Sequence, residues 1–204
     1  GQLSYGYYHE QRGEGMEIKE YLEKELADII GNSDDHEPQD VVLYGFGRIG
    51  RLLARLLINR QGKNNKMRLK AIVVRGGKDG DLDKRASLLR RDSVHGPFNG
   101  SITVDHERCA LKANGSFIQV IYADKPEDVD YTQYGINNAI VIDNTGAWRD
   151  EEGLGRHLKS KGAAKVLLTA PGKGDIKNIV FGVNDGDISE EDKIMSAASC
   201  TTNA

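Results

Sequence analysis

The sequence predicts an α/β domain built on a doubly wound, mostly parallel sheet. Two observations predict this fold. After residue 40, short apolar strand patterns alternate with amphipathic helix patterns, and a glycine-rich turn joins the first strand to the first helix. Strands that alternate with helices in this way form parallel sheets whose two faces are both covered. The 24 glycines suit the many tight strand-to-helix turns that such a fold needs.

An amphipathic helix is predicted over residues 16–30, before the main domain. Its apolar residues recur at helical spacing, and Gly31 follows as a stop signal. We expect this helix to pack on its own domain or on a sister subunit, and a regulatory role is the alternative. The polar segment 31–40 is predicted to be a linker. The expected domains are therefore residues 1–40, an N-terminal extension with helix and linker, and residues 41–204.

The elements of the main domain follow from hydrophobic periodicity. Strands are predicted over residues 41–44, 69–74, 101–105, 116–122, 138–143, 165–169 and 178–183, and helices over 48–59, 83–91 and 150–161. The helix over 48–59 is expected to turn four leucines inward, Leu52, Leu53, Leu56 and Leu57, and two arginines outward, Arg51 and Arg55.

Composition and charge exclude several classes of function. The net charge of −3 offers no electrostatic attraction to nucleic acid or to an anionic membrane. No apolar run approaches the ~20 residues that span a bilayer. Two cysteines are too few for a disulfide framework, which fits a reducing cytoplasm. Cys109 falls in a predicted strand and is expected to be an inert, packed thiol. The five histidines are scattered without metal-ligand spacing, so no metal site is predicted.

The glycine-rich turn carries the first functional signal. Residues Gly45, Phe46, Gly47, Arg48, Ile49 and Gly50 form the pattern G-x-G-x-x-G between a buried strand and an amphipathic helix. Gly45 permits the tight turn, Gly47 lets the backbone approach a pyrophosphate, and Gly50 lets helix and strand pack closely. The free N–H groups at the helix start then hold the phosphates. The turn therefore predicts a Rossmann-type dinucleotide site.

The end of the second predicted strand bears on which dinucleotide is bound. An acidic residue that binds the ribose hydroxyls of NAD is expected ~20 residues after the glycine turn. Arg75 and Gly76 stand there instead, and the nearest acids, Asp79 and Asp81, lie deeper in the loop. Arg75 is either a solvated surface residue or a partner for the 2′-phosphate of NADP. Both NAD and NADP remain candidate cofactors.

Cys200 stands among small hydroxylic residues near the end of the chain. Two interpretations follow from its surroundings. It is either a buried structural thiol or a nucleophile at a strand-to-helix turn, where the helix N-terminus favours the thiolate. The residues around Cys200 do not decide between them.

A family resemblance decides between these interpretations. Six motifs resemble those of glyceraldehyde-3-phosphate dehydrogenases in order and approximate spacing: GFGRIGR at 45–51, DSVHG at 92–96, NTG at 144–146, TAP at 169–171, GVN at 182–184 and SCTTN at 199–203. The resemblance implies that the first half of the enzyme binds NAD or NADP. It also implies that a cysteine attacks the aldehyde, that a hydride passes to the nicotinamide, and that inorganic phosphate releases the resulting thioester as an acyl phosphate.

The resemblance assigns residues to roles. Cys200 matches the nucleophile, and Ser199 and Thr201 match parts of the substrate phosphate pocket. Arg48 and Ile49 match the backbone contacts to the pyrophosphate. The positions that line the adenosine and nicotinamide ends of the cofactor are matched by Thr145, Gly146 and Thr169. The implied partners are an aldehyde phosphate and inorganic phosphate, and the implied assembly is a cytoplasmic homotetramer of glycolysis or gluconeogenesis.

Three departures from the family pattern stand out. Tyr44 occupies a position that is usually Asn, Arg75 and Gly76 replace an Asn-Asp pair, and the chain stops at Ala204, before the family's catalytic histidine and substrate domain. We therefore expect this chain, without its substrate domain, to be the cofactor-binding part of the enzyme and to be inactive alone. The alternatives are an erythrose-4-phosphate dehydrogenase, which shares SCTTN, and a non-catalytic nucleotide-binding module.

Overall fold

The computed structural model describes residues 18–25, 38–60 and 66–203. The chain divides into two units, residues 1–37 and 38–204. In the first unit, helix α1 covers Ile18–Glu25, within the range predicted to be helical. Residues 16–17 and 26–30 of that prediction, and residues 31–37 of the predicted linker, lie outside the described residues.

The second unit is a doubly wound α/β domain, as the sequence predicted. Nine of its described strands form one sheet: β1 (Gln39–Tyr44), β2 (Met67–Val74), β5 (Ile102–Asp105), β6 (Ala110–Ala113), β7 (Ser116–Tyr122), β8 (Ala139–Asp143), β9 (Ala163–Leu168), β10 (Lys177–Asn178) and β11 (Ile194–Ser196). Their order across the sheet is β10-β11-β9-β8-β1-β2-β7-β6-β5. Neighbours from β10 to β7 are parallel, and the β7–β6 and β6–β5 pairs are antiparallel.

The described part of this unit also contains three α-helices, a short hairpin and four 3-10 helices. The α-helices are α2 (Arg48–Asn59), α3 (Asp81–Arg90) and α4 (Glu151–Gly155), and the hairpin pairs β3 (Arg91–Asp92) with β4 (Gly96–Pro97). The predicted helix over 150–161 is only one α-helical turn, which continues as a 3-10 helix over Arg156–Lys159. Gly153 and Gly155 lie in this segment, and glycine disfavours a long α-helix.

The sheet is buried on both faces. Along β1, Val41 and Leu43 belong to one apolar cluster, whereas Val42 and Tyr44 belong to another. Because successive side chains of a strand point to opposite faces, the two clusters lie on opposite sides of the sheet. The continuous apolar run of β1 is therefore the signature of a central parallel strand rather than of a half-exposed one.

The predicted faces of α2 are partly wrong. Leu56 is 54% exposed, whereas Arg55 is 8% exposed and packs inward. The Arg55 guanidinium donates to the carbonyl of Leu89 at 3.0 and 2.7 Å and to that of Gly96 at 2.9 Å. Leu89 lies in the last turn of α3, where carbonyls lack partners within the helix. Arg55 therefore satisfies the end of another helix, which periodicity within α2 does not reveal.

Two further predictions fail at turns. A strand was predicted over 178–183, but the strand found there, β10, covers only Lys177–Asn178. Phe181, in the middle of the predicted strand, is 89% exposed. The Asn184 carboxamide oxygen accepts from the Val180 amide at 2.7 Å and so ties the apolar run into a turn. Cys109 also lies in a turn, at φ 50°, and not in a strand. Its thiol is partly buried against the core, and this burial raises its pKa.

Candidate functional site

Apart from Arg75, which follows β2, the predicted site residues follow the carboxyl ends of four parallel strands. Since β1, β8, β9 and β11 all run in the same direction, the turns that follow them meet at one edge of the sheet. Strand β1 lies between β2 and β8, and the chain reverses its direction of travel across the sheet at this point. Ligands of doubly wound sheets bind in the crevice that such a reversal creates.

The glycine turn has the geometry that its sequence predicted. Gly45 has φ +92°, and a Cβ there would lie 2.8 Å from the Thr145 methyl carbon. A Cβ at Gly50 would lie 2.4 Å from the Gly45 carbonyl oxygen, so helix and turn approach too closely for any other residue. A Cβ at Gly47 would meet nothing within 4 Å. The protein therefore has no steric need of its own for glycine at 47, whereas an approaching ligand has one.

The start of α2 faces open space. Gly47, Arg48 and Ile49 are exposed, whereas Phe46 is buried in the core. Gly47 precedes the first helical residue and provides no side-chain cap for the helix. The first N–H groups of an α-helix have no partner within it, and the helix dipole favours an anion beside them. These residues fit the pyrophosphate of a dinucleotide.

A second turn, after β8, lies against the glycine turn. The Asp143 carboxylate accepts from the Thr145 amide and from the Thr145 hydroxyl, both at 2.7 Å. These bonds set the backbone that leads into Gly146, which has φ +63°. Thr145 is exposed at the crevice while Asp143 is fully buried. The predicted cofactor residues Thr145 and Gly146 are thus positioned by a carboxylate beneath them.

Thr169 joins the same network from β9. Its amide and its hydroxyl donate to the Asp143 carbonyl oxygen at 3.0 and 3.1 Å. The Thr169 hydroxyl also lies 3.2 Å from the Asn144 amide oxygen, and the Asn144 backbone amide donates to the Tyr44 carbonyl at 2.8 Å. The ends of β1, β8 and β9 are therefore linked by hydrogen bonds at the point where the cofactor residues cluster.

Tyr44, one of the departures from the family pattern, is buried behind this network. Burial raises the pKa of its phenol to about 12, and the nearby Asp143 carboxylate adds to the effect. Its ring meets the His157 imidazole edge-on, with ring centroids 4.6 Å apart. His157 in turn pairs with Asp143 at 2.9 Å, and neither side chain is exposed. Tyr44 is therefore part of the support beneath the crevice.

Arg75 is exposed at the end of β2, as the sequence placed it. The nearest acids that could bind the ribose hydroxyls, Asp79 and Asp81, lie farther along the loop, and Asp81 already pairs with Arg85. The Asp81 carboxylate pairs with Arg85 at 2.6 Å and also accepts a hydrogen bond from the Tyr122 phenol. Burial raises the pKa of that phenol to about 12, and the hydrogen bond to Asp81 adds to the effect. A cavity of about 590 Å³ opens beside Gly76, with Asp124, Asp128 and Asp130 in its lining. Arg75 thus directly precedes a glycine that lines an acidic cleft.

The SCTTN segment forms a tight turn after β11. Cys200 is exposed, so the interpretation as a buried structural thiol is wrong for this chain. The Thr202 and Asn203 amides donate to the Ser199 carbonyl at 3.0 and 3.1 Å, which bends the backbone around the cysteine. The Ser199 and Thr201 hydroxyls lie 2.9 Å apart. The turn therefore presents one thiol and two hydroxyls together.

The sequence analysis gave no supporting role to three residues: Asp143, His157, and Asn144 of the NTG motif. An Asp followed two residues later by Thr, at the end of a strand, is a turn signal that could have revealed Asp143. His157 gave no signal, because its pairing crosses 14 residues and two elements. Among the described residues, no group of three or more His, Cys, Asp or Glu is arranged to hold a metal ion. Likewise, no described helix is long and apolar enough to cross a membrane.

Comparison with known proteins identifies the family. A family model described as the NAD binding domain of glyceraldehyde 3-phosphate dehydrogenase matches residues 39–151. The chain belongs to the glyceraldehyde-3-phosphate dehydrogenase family. The family accounts for the cofactor: the matched domain is the one that binds NAD or NADP, and it contains the glycine turn, Arg75, Thr145 and Gly146.

Individual relatives agree with this assignment. The chain is 62% identical over 194 residues to a glyceraldehyde-3-phosphate dehydrogenase-like protein of Pseudomonas aeruginosa (strain UCBPP-PA14), a match that covers 94% of the chain and 42% of that protein. A chloroplastic glyceraldehyde-3-phosphate dehydrogenase of Arabidopsis thaliana is 40% identical over 163 residues, which cover 80% of the chain and 39% of the relative. The enzyme of Streptococcus pyogenes is 37% identical, over 80% of the chain and 45% of its own length. The chain thus spans less than half the length of these relatives.

Proposed function

We propose that this chain is the cofactor-binding part of a phosphorylating glyceraldehyde-3-phosphate dehydrogenase that uses NAD or NADP. One observation carries the proposal. The exposed Cys200 and the glycine turn follow parallel strands that end at the same edge of one sheet. A nucleophile and a dinucleotide site at one edge can act on the same substrate.

The reaction follows from these groups. The Cys200 thiolate adds to the aldehyde carbon and forms a thiohemiacetal, whose oxygen takes up a proton. The nicotinamide, when bound, supplies a hydride acceptor. Loss of hydride and of the hydroxyl proton oxidises the thiohemiacetal to a thioester. Inorganic phosphate then attacks the thioester carbon, the C–S bond breaks, and an acyl phosphate leaves as the thiolate returns.

The hydroxyls of Ser199 and Thr201 support the choice of a phosphorylated substrate. They lie 2.9 Å apart beside the nucleophile, and hydroxyls donate hydrogen bonds to phosphate oxygens. Arg48 and Ile49 are exposed in the first turn of α2, where their backbone N–H groups can bind the pyrophosphate of the cofactor. Arg75 supports binding of NADP as well as NAD, because it offers a cation where an acid would repel the 2′-phosphate.

Calorimetric titration of the chain with NAD and with NADP tests the cofactor assignment. Gly47→Val should abolish binding of both dinucleotides and leave the protein folded, with an unfolding midpoint lowered by only about 2–4 °C for the less favourable N-cap residue. The substituted position has φ −74° and open space, so the folded protein tolerates a side chain that blocks the pyrophosphate. Unchanged affinity in a folded Gly47→Val variant would show that the dinucleotide does not lie on this turn.

The reaction is tested with the proposed cofactor-binding part joined to a substrate domain. We expect NAD(P)H to form from glyceraldehyde 3-phosphate only when inorganic phosphate is present, and Cys200→Ser to abolish turnover. Comparison of kcat/KM for glyceraldehyde 3-phosphate and erythrose 4-phosphate separates the two dehydrogenases. Dinucleotide binding without turnover of either sugar phosphate would favour a non-catalytic nucleotide-binding module instead.

A further inference from the structure

The buried pair of Asp143 and His157 has no direct part in the proposed chemistry. Both side chains have 0% exposure, and the His157 Nε2–H donates to one Asp143 carboxylate oxygen at 2.9 Å. Removing two polar groups of this kind from water is unfavourable, and such pairs add little net stability compared with apolar packing. A specific structural task would explain why the pair stands at this position.

The geometry of Asp143 shows what that task is. One carboxylate oxygen faces His157, while the other accepts from the Thr145 amide and hydroxyl. Its backbone carbonyl accepts from Thr169. One residue therefore connects the buried histidine to two exposed turns that hold predicted cofactor residues. Any rotation of the Asp143 carboxylate would move Thr145.

Thr145 transmits this position to the glycine turn. Its methyl carbon would lie 2.8 Å from a Cβ at Gly45, so the two turns are in close contact. The Asn144 carboxamide nitrogen also lies 3.4 Å from the Gly45 carbonyl oxygen. A displaced Thr145 would therefore collide with Gly45 or leave it unsupported, and the start of α2 would shift with it.

The imidazole is itself held rigidly. The Tyr44 ring meets it edge-on with centroids 4.6 Å apart, and the Trp148 ring does so at 5.9 Å. Its other nitrogen, Nδ1, has no hydrogen-bond partner among the described residues. The bond to Asp143 is therefore the polar contact that orients His157, and the aromatic rings limit its rotation.

We propose that Asp143 and His157 are positioning residues of the cofactor site: the buried pair fixes the Thr145–Gly146 turn against the glycine turn, and thereby sets the width of the crevice that receives the dinucleotide. This inference rests on the proposed function for the identity of the ligand. The position of the turn itself can be measured without any ligand. Groups that hold binding residues from beneath are required where sub-ångström placement decides affinity.

Two variants of His157 form the test. In His157→Gln the carboxamide nitrogen reaches approximately the place of Nε2 and can donate to Asp143. His157→Asn is one methylene shorter and cannot. In the 204-residue chain, hydrogen exchange of the Thr145 amide should be slow in wild type and in His157→Gln and at least about tenfold faster in His157→Asn. The dissociation constant for NAD should be unchanged in His157→Gln and about tenfold higher in His157→Asn. Loss of a supporting hydrogen bond beneath a metal site weakens metal binding by a similar factor.

A control separates positioning from general destabilisation. Leu89→Ala removes a fully buried side chain from the apolar cluster on the other face of the sheet from Tyr44. It should lower the unfolding midpoint at least as far as His157→Asn, yet leave the Thr145 amide and the NAD affinity of the folded protein unchanged. If His157→Asn does not fold, His157→Phe serves in its place, because it keeps an aromatic ring beside Tyr44 and Trp148 but has no donor for Asp143.

The outcomes are distinct. Wild-type amide protection and NAD affinity in His157→Asn, or in His157→Phe, would overturn the positioning role. The same loss in Leu89→Ala would also overturn it, since the effect would then be one of global stability. A wild-type chain that binds neither NAD nor NADP would refute the proposed function, while the Thr145 exchange rates would still decide whether the pair positions the turn.

Discussion

At the scale of single residues, the three glycines of the turn have different tasks. Gly47 is open to the crevice, whereas Gly50 is confined by the Gly45 carbonyl oxygen, 2.4 Å from the place of a Cβ. Gly45 has a backbone conformation that other residues avoid. Glycine is therefore needed for the approach of the ligand at Gly47, and for the fold itself at Gly45 and Gly50.

Gly50→Ala should destabilise the protein, in contrast to Gly47→Val. The added methyl group would force helix α2 away from the glycine turn, and such overpacking costs about 1–3 kcal/mol. Urea unfolding would measure the loss, and calorimetry would show that NAD binding weakens with it. Equal stability of Gly50→Ala and wild type would show that the helix and the turn are not in close contact in solution.

Arg75→Asp should shift the cofactor preference from NADP towards NAD. An arginine beside the 2′-phosphate contributes roughly 1.5–3 kcal/mol as a charge-assisted bond, and an aspartate there repels that phosphate. Dissociation constants for both cofactors measure the shift. Arg91→Asp is a suitable control, because Arg91 is exposed at the end of α3, outside the crevice. If wild type binds NAD tightly and ignores NADP, Arg75 has no role in selecting the cofactor.

At the scale of elements, α2 and α3 are joined through one side chain. Arg55 crosses from α2 to the Leu89 carbonyl at the end of α3 and to Gly96 in β4. Arg55→Met keeps the apolar stem but leaves these carbonyls without their donor, which should cost about 2–3 kcal/mol. Thermal unfolding measures this loss. Arg91→Met should leave the stability unchanged, and NAD affinity should be unaffected in both variants.

Sequence patterns located most elements, because the apolar period of each strand and helix is local. The bounds predicted for α2 match the structure, and the strand over 138–143 differs from β8 by one residue. The predictions failed where a distant or polar contact decides the conformation. Asn184 turns an apolar run that resembled a strand, and Arg55 is buried by carbonyls that lie 34 and 41 residues away.

The site shows the same division. The glycine turn, the SCTTN turn and the exposed Arg75 could be located from motifs, since each is a short continuous segment. The support beneath them could not, because Asp143 and His157 meet only when α4 and the 3-10 helix after it fold onto the sheet. The role of these residues in binding NAD or NADP is a prediction, which the calorimetric titrations test.

At the scale of the whole molecule, two hydrogen-bonded carboxylates, Asp92 and Asp192, make the fold sensitive to acid. Backbone and side-chain bonds from His95 lower the pKa of Asp92, and a bond from Lys177 lowers that of Asp192 to about 2. A carboxyl whose pKa is lower in the folded state stabilises the protein above its unfolded pKa, near 3.8, and this contribution is lost as the pH falls through the folded value.

We therefore expect the unfolding midpoint to fall as the pH is lowered from about 4 to about 2, and Asp192→Asn to flatten part of that fall. Thermal denaturation across this range is the measurement. Lys177→Met should flatten a smaller part of the fall than Asp192→Asn, because the Ser189 amide and hydroxyl still donate to Asp192. A midpoint in Asp192→Asn that depends on pH as steeply as in wild type would exclude the ion pair as a source of the acid sensitivity.

The central position of β1 has a consequence for how the chain folds during synthesis. Strand β1 is made early, yet Val41 pairs with Ile140, about 100 residues later. At about 5–20 residues per second, a ribosome needs roughly 5–20 s to make the missing neighbour. Through that interval one apolar edge of the nascent sheet has no partner strand, and such edges recruit other chains. The crevice for the cofactor can close only when β8 arrives, so a nascent chain that ends before residue 139 should depend on a chaperone for its solubility.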